Sequence, residues 1–383
     1  MGTVLFINKY PLVESYSILQ KIDGQMQALV NLGYEVEYIS FDHEFVYLNT
    51  VNTKERIKIK KTFLGKTRLY YHLFSYFDIY HSVKKVLDKK KYDFVYFRYS
   101  PLSYTGYSMC KKLNRNSKIV VEISTYPLGR EKPENILRAI YWKYSEYWNR
   151  KTAQFVDLYT LIGEKANSFR GVKAINIDNG VSIENIPKIQ HENTSKIHIL
   201  TVASMCTWQG YDRIIEGMSK WTSINRNNVI IDLVGGEGDG SLALWKNMVR
   251  NYGLEDNIFF HGRRTGKDLD ELFNRATIGL GSLGMYRRGF STASILKIRE
   301  YVARGLPFVY ANDDPNINSK CWWAKELPNN SEAIDMEEVY QFSLAVQNWN
   351  YAEVGEVMRE YARKFMTWEV QFEKIIAQLK GIK

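Results

Sequence analysis

Short apolar runs alternate with amphipathic stretches along most of the chain. VLFIN (Val4–Asn8) is an apolar run, and YEVEYIS (Tyr34–Ser40) alternates as a half-buried strand does. Between them, KYPLVESYSILQKIDG reads as a loop ending near Gly24. QMQALVNLG then places Met26, Leu29, Val30 and Leu32 at helical spacing, with Gly33 where a helix closes. YDFVYFRYS (Tyr92–Ser100) and KIVVEIS (Lys118–Ser124) are two further strand-like runs, separated by the helical stretch PLSYTGYSMCKKL. Strands separated by helices predict βαβ units and a parallel sheet.

The second half repeats the theme. IHILTVAS (Ile197–Ser204), NVIIDLVGG (Asn228–Gly236), NIFFHG, TIGLGSLG and LPFVYA read as strands. YDRIIEGMSKW, SLALWKNMVRNYG closed by Gly253, LDELFNRA, and LKIREYVARG closed by Gly305 read as helices. The polar stretch Asp178–Lys196 marks a junction between two doubly wound α/β halves. The expected domains are residues 1–185, 186–365, and a final amphipathic helix within 366–383. Ligands of such sheets bind at the carboxyl ends of the strands, so a cleft between two of them is the expected site.

Composition narrows the class. The 383 residues are 45% hydrophobic and 25% charged, which excludes a disordered or low-complexity protein. Cys110, Cys206 and Cys321 are widely spaced, which fits neither a disulfide scaffold nor a cysteine zinc site. No run of about 18 apolar residues is present, so no membrane-spanning helix is expected. The opening MGTVLFINKYP reads as a first strand and not as a signal peptide, and the expected location is the cytoplasm.

Charge is uneven. The net charge is +10, yet residues 1–180 hold 28 basic and 17 acidic residues, against 24 and 25 in the remainder. The basic half contains Lys58–Phe77, where cations sit among aromatics, and the tyrosines and phenylalanines from Tyr70 to Tyr80 form a further stripe. Such a half attracts an anionic partner; an anionic membrane surface at the inner face of the membrane is the expectation. A nucleic-acid partner is not expected, since no nucleic-acid motif accompanies the charge.

A loop rich in small residues (Gly281, Ser282, Gly284, Ser291, Ser294) runs into a helix starting near Ile295 and Leu296. Outward-pointing amides at such a start suit a diphosphate. Arg287, Arg288, Lys297 and Arg299 add positive charge nearby. The stretch Ser294–Ala311 resembles the donor-binding segment of family-4, GT-B-fold glycosyltransferases. WQGYDRIIEGM (Trp208–Met218), DLVGGEG, FFHGRRTGKDLDELFNRA, the near-terminal TWE, and the earlier YDFVYFRYS, EISTYP (Glu122–Pro127) and DNGVS fall in that family's order.

The resemblance implies two Rossmann-like domains facing across a cleft, with a last helix crossing back to the first domain. It also implies transfer of a sugar, with retention, from a nucleotide diphosphate sugar to a polysaccharide or lipid-linked glycan. No metal and no cofactor are implied beyond the nucleotide-sugar co-substrate. Glu300 matches the glutamate expected to hold the ribose hydroxyls. Two departures stand out. Thr292 occupies the place of the glutamate that contacts the transferred sugar, and Ser204 and Gln209 replace an arginine and a lysine that neutralise the diphosphate. Each charge-assisted bond contributes about 1.5–3 kcal/mol, so Arg287, Arg288, Lys297 and Arg299 are expected to compensate.

Other candidates are weaker. Gly235, in GGEGDG, and Gly262 end strands and are expected to line the cleft; Arg263 follows as a nucleobase contact. Gly24 is expected to approach the donor phosphates at a helix start. Glu122, Thr125 and Tyr126 follow a strand and are the expected polar groups near the reacting sugar, with Arg98 as an acceptor contact. Glu122 reads equally as a strand-end residue paired with a lysine. Asp268-Leu269-Asp270 reads as a helix N-cap (Asp268) and first turn rather than a metal site. The six histidines form no metal-binding spacing. Two competing classes remain: a nucleotide-sugar epimerase of the same fold, and a catalytically silent scaffold that binds a partner.

Overall fold

The computed structural model describes residues 2–7, 16–42, 44–62, 75–88, 90–100, 102–128, 136–222 and 224–381. Two compact units emerge: Met1–Gly180 with Trp368–Lys383, and Val181–Thr367.

The first unit runs β1 (Thr3–Ile7), α1 (Tyr16–Asn31), β2 (Glu35–Phe41), β3 (Phe45–Thr50), β4 (Arg56–Lys61), α2 (Ser75–Leu87), β5 (Phe94–Arg98), α3 (Tyr104–Leu113), β6 (Lys118–Tyr126), α4 (Ile136–Thr152), β7 (Leu158–Gly163), β8 (Ser168–Phe169) and β9 (Val172–Asn176). Among the described residues these strands form one sheet in the order β4-β3-β2-β1-β5-β6-β7-β9-β8. The core from β2 to β9 is parallel; β3, β4 and β8 add antiparallel edges. Strand β1 splits its alternating residues between two cores. Leu5 and Ile7 pack with Ile79, Met109 and Val121, while Val4 and Phe6 pack with Met26 and Leu29 of α1. The last helix of the chain, Trp368–Lys380, covers that second face through Trp368, Phe372 and Ile375.

The second unit runs β10 (Ile197–Val202), α5 (Tyr211–Lys220), β11 (Val229–Val234), α6 (Ser241–Asn251), β12 (Ile258–Gly262), α7 (Lys267–Arg275), β13 (Ile278–Leu280), α8 (Leu296–Arg304), β14 (Phe308–Tyr310), β15 (Ala324–Glu326), α9 (Met336–Gln347) and α10 (Tyr351–Phe365). Its sheet, β12-β11-β10-β13-β14-β15, is parallel throughout. The central strands are largely apolar on both faces because helices cover both: Ile197 and Ile199 of β10 enter one core, Leu200 the other. The order reverses between β10 and β13, which makes their carboxyl ends the switch point where α/β sheets bind ligands.

Three expectations change. The segment before Gly24 is helix from Tyr16, not loop. Asp268 is not the cap of α7: Gly266 is, and Asp268 and Asp270 both lie in the first turn, favouring the dipole. Most of the basic-aromatic run falls at 63–74, outside the described residues. Its described part is edge strand β4 and the start of α2. There Arg56 pairs with Asp42 and stacks on Tyr47, Lys58 lies over Phe45, and Lys60 pairs with Asp78.

Candidate functional site

In the second unit, five polar side chains converge at the switch point. Thr201 comes from β10, Gln209 and Tyr211 from the turn into α5, Ser282 from the loop after β13, and Lys297 from the first turn of α8. Lys297 Nζ donates to Gln209 Oε1 at 2.7 Å and to Tyr211 OH at 2.6 Å, with Thr201 Oγ1 at 3.4 Å. Ser282 Oγ donates to the same Gln209 oxygen at 2.8 Å. These acceptors are neutral, and burial pushes the Lys297 ammonium well below the usual lysine range. Two glycines allow the loops to meet: a Cβ on Gly210 (φ 70°) would lie 2.5 Å from the Gly284 nitrogen.

Helix α8 starts where the sequence places it, with Ile295 as its N-cap and Leu296 as its first residue. The amides of Leu296 and Lys297 have no intrahelical acceptor, while that of Ile298 donates to the Ile295 carbonyl at 3.1 Å. Ile295 and Leu296 are half-buried, so this end is not sealed under packed side chains. Glu300, a turn later, is half-buried; its Oε1 accepts from Arg304 Nε at 2.9 Å.

The four expected cations do not act together. Arg299 is wholly buried, paired with Asp314 at 2.5 Å and donating to Ser294, so it braces the core of α8 and cannot reach a diphosphate. Arg287 is held by both oxygens of Asp212 (2.8 and 2.5 Å) and by the Thr207 carbonyl. Arg288 lies over the Trp208 and Phe290 rings. Lys297 alone joins the buried switch-point cluster. At the place of the missing glutamate, the exposed carboxylate of Asp313 accepts from Thr292 Oγ1 at 2.9 Å. Sequence reading missed Asp313, which a bridge to Thr292 brings there from 21 residues away.

Gly235, Gly262 and Arg263 form a second group. The Gly235 amide donates to the Gly262 carbonyl at 2.8 Å. At Gly235 (φ 150°) a Cβ would sit 1.7 Å from the Ala203 carbonyl, so only glycine fits between the ends of β10 and β11. Exposed Arg263 lies across Gly236. Beside them, Asp232 accepts from His198 (2.8 Å) and His261 (2.7 Å), a pairing made by neighbouring strands and invisible in linear spacing. Among the described residues, no group of three or more histidine, cysteine or carboxylate side chains is arranged so that it could hold a metal ion.

The first unit corrects several expectations. Gly24 is buried in the middle of α1, with helix on both sides, and offers no helix-start amides. Glu122 is wholly buried in the middle of β6, which runs on through Tyr126 instead of ending before it. It accepts from Lys21 Nζ (2.9 Å), Gln25 Nε2 (2.5 Å), Tyr96 OH (2.7 Å) and Ser124 Oγ (2.5 Å). Burial alone would raise its pKa; Lys21 first, then Arg98, Ser124 and Tyr96, outweigh burial and hold the carboxyl far below its usual range. A carboxylate so enclosed is an anchor, not a group that touches a sugar. Lys21 also donates to Asn179 at 2.9 Å; burial, opposed by Glu122, lowers its pKa from 10.5 to about 8. Arg98 is turned inward, donating to Ser124 at 2.8 Å and lying 3.5 Å from Glu122. Thr125 is exposed, whereas the Tyr126 ring packs edge-on against Phe169.

Residues 182–316 match the family model described as glycosyl transferases group 1. Comparison with curated proteins gives no match. Solved structures are similar over the full chain. A sucrose-phosphate synthase from Thermosynechococcus elongatus has a TM-score of 0.67 at 14% identity, covering 100% of both chains. A glycosyltransferase from Rickettsia africae also reaches 0.67, at 17% identity, covering 100% of this chain and 98% of that one. HepE of Anabaena, solved with UDP, has a TM-score of 0.57 at 13% identity, with 100% of each chain covered. At these identities the likeness is one of fold. The whole chain therefore has the GT-B glycosyltransferase fold, and residues 182–316 carry the sequence signature of the glycosyl transferases group 1 family.

Proposed function

We propose that the protein is a retaining, metal-independent glycosyltransferase that moves a sugar from a nucleotide diphosphate sugar to a polysaccharide or lipid-linked glycan acceptor. The observation that carries this reading is the accessible N-terminus of α8, set at the switch point of the second sheet above a buried lysine. The first-turn amides receive the diphosphate, and Lys297 supplies the positive charge that Gln209 and Ser204 lack. As the bond between the anomeric carbon and the diphosphate oxygen breaks, these groups stabilise the leaving charge. The acceptor hydroxyl attacks from the same face and passes its proton to a phosphate oxygen. Asp313, steered by Thr292, offers the carboxylate that holds the transferred sugar, and the second oxygen of Glu300 holds the ribose. That HepE was solved with UDP makes uridine diphosphate the first nucleotide to test.

The test is a calorimetric titration of the protein with uridine, guanosine, adenosine and thymidine diphosphates. Binding of one or more supports the reading. A protein that binds none of them is the silent scaffold that the inward-turned cations Arg287 and Arg299 favour.

A further inference from the structure

Helix α4 of the first unit presents an outward face unlike that of an ordinary surface helix. Its exposed apolar and aromatic residues are Ile136, Ile140, Tyr144 and Tyr147, between 46% and 74% exposed. At about 100° per residue these four fall within one 80° sector. Among the described side chains of the helix, the other exposed residues are all cations: Lys143, Arg150 and Lys151. Its one acid, Glu146, is half-buried and accepts from Arg150 at 2.8 Å and from Arg170. Behind the face stands Trp148, with the rings of Tyr104, Tyr107, Tyr144 and Tyr147 within 6.4 Å of it. Tyr104 is itself 58% exposed, and Lys111, two helical turns on along α3, is exposed as well.

We propose that this α3–α4 face docks on an anionic lipid surface. Three features fit that occupant, and among the described residues of α4 the one acid, Glu146, is engaged with Arg150 and Arg170. Apolar side chains lie in one stripe, Lys143 and Arg150 border it along one side with Lys151 at its C-terminal end, and tyrosines with a tryptophan sit at the level where one end of a ring is dry and the other wet. On β4, by contrast, Arg56, Lys58 and Lys60 are engaged with Asp42, Asp78 and aromatic rings. A second copy of the chain fits less well, since a symmetric pairing sets Lys143 and Lys151 against their own like.

The experiment is cosedimentation of the full chain with vesicles of phosphatidylcholine alone and vesicles rich in phosphatidylglycerol. Wild type is expected to sediment with the anionic vesicles, and not with the zwitterionic ones, at low salt. Near 1 M salt, where screening acts over about 3 Å, binding is expected to weaken. Each cation near the surface contributes roughly fivefold in partitioning, so K143E/K151E is expected to lose at least about tenfold. I140E/Y147E is expected to lose a comparable amount while keeping its melting temperature, because these side chains are exposed. Failure of wild type to sediment overturns the proposal. So does sedimentation of both variants like wild type, and so does a wild-type dimer in sedimentation velocity that I140E/Y147E converts to monomer.

Discussion

Changing Glu122 to Gln keeps the shape of the buried centre of the first unit and removes its charge. In the wild type, four donors converge on this carboxylate, and its counter-ion Lys21 is also buried. After the change, Lys21 keeps only neutral acceptors such as Asn179, and the ammonium has lost the charge that offsets its burial. Breaking a buried pair in this way costs about 3–5 kcal/mol. The converse change, Lys21→Met, is milder. The carboxylate keeps Gln25, Tyr96 and Ser124, with Arg98 at 3.5 Å, so the loss is that of one charge-assisted bond, about 1.5–3 kcal/mol. The double variant removes both charges and is expected to cost less than the sum, by about 1–3 kcal/mol of coupling. The two units need not unfold together, so the readout is native-state amide exchange along β5 and β6, which reports the first unit alone. A cost for E122Q below about 1 kcal/mol, or a cost for K21M equal to that of E122Q, would refute the picture of a carboxylate-centred anchor. The same pair sets a pH dependence. The folded Lys21 releases its proton near pH 8 and the unfolded one near 10.5, so the unfolded chain binds more protons in that window. Stability of the first unit is therefore expected to rise between about pH 8 and 10.5, by at most about 3 kcal/mol, and K21M is expected to abolish the rise.

Further outcomes follow from the second unit. Lys297→Met is expected to weaken nucleoside diphosphate binding about 10- to 100-fold in calorimetry, since one charge-assisted bond is lost. An arriving diphosphate favours the protonated amine, so wild-type binding takes up a proton and its affinity falls as pH rises; titrations in buffers of differing ionisation enthalpy check this. Asp313→Asn is expected to lower kcat with a nucleotide sugar about 100-fold while leaving binding of the bare diphosphate unchanged, which separates sugar contact from phosphate contact. Gly210→Ala meets a left-handed φ and the Gly284 backbone at once, so the second unit is expected to lose about 2–4 kcal/mol, read from exchange of β10 amides.

What could be read from the chain follows from how each element is covered. Strands such as IHILTV and VIIDLV are buried on both faces and stand out as apolar runs, and α6 and α8 end beside Gly253 and Gly305. The β3–β4 hairpin went unread because β4 is an exposed edge whose RIKIKK looks like a charge run. Helix α4 hides its period: it buries Ser145, Asn149 and Thr152 and exposes isoleucine and tyrosine. Gly24 looked like an end because glycine is rare inside helices, yet packing carries α1 through it. For the site, the loop leading into α8 is contiguous and could be read directly. The Lys297–Gln209–Ser282 cluster, Asp313 beside Thr292 and the Lys21–Glu122 anchor are assembled by strand order, and no local spacing reports them. Arg299 shows the converse: its position in the sequence suggested a ligand contact, and its burial with Asp314 assigns it to the core.

The central claim is that the first turn of α8 receives a diphosphate, and residue-resolved amide exchange with and without a saturating nucleoside diphosphate tests it most directly. The amides of Leu296 and Lys297 have no acceptor within the helix, so their exchange is expected to slow markedly on binding. Binding that protects other segments and leaves residues 295–298 unchanged would contradict it.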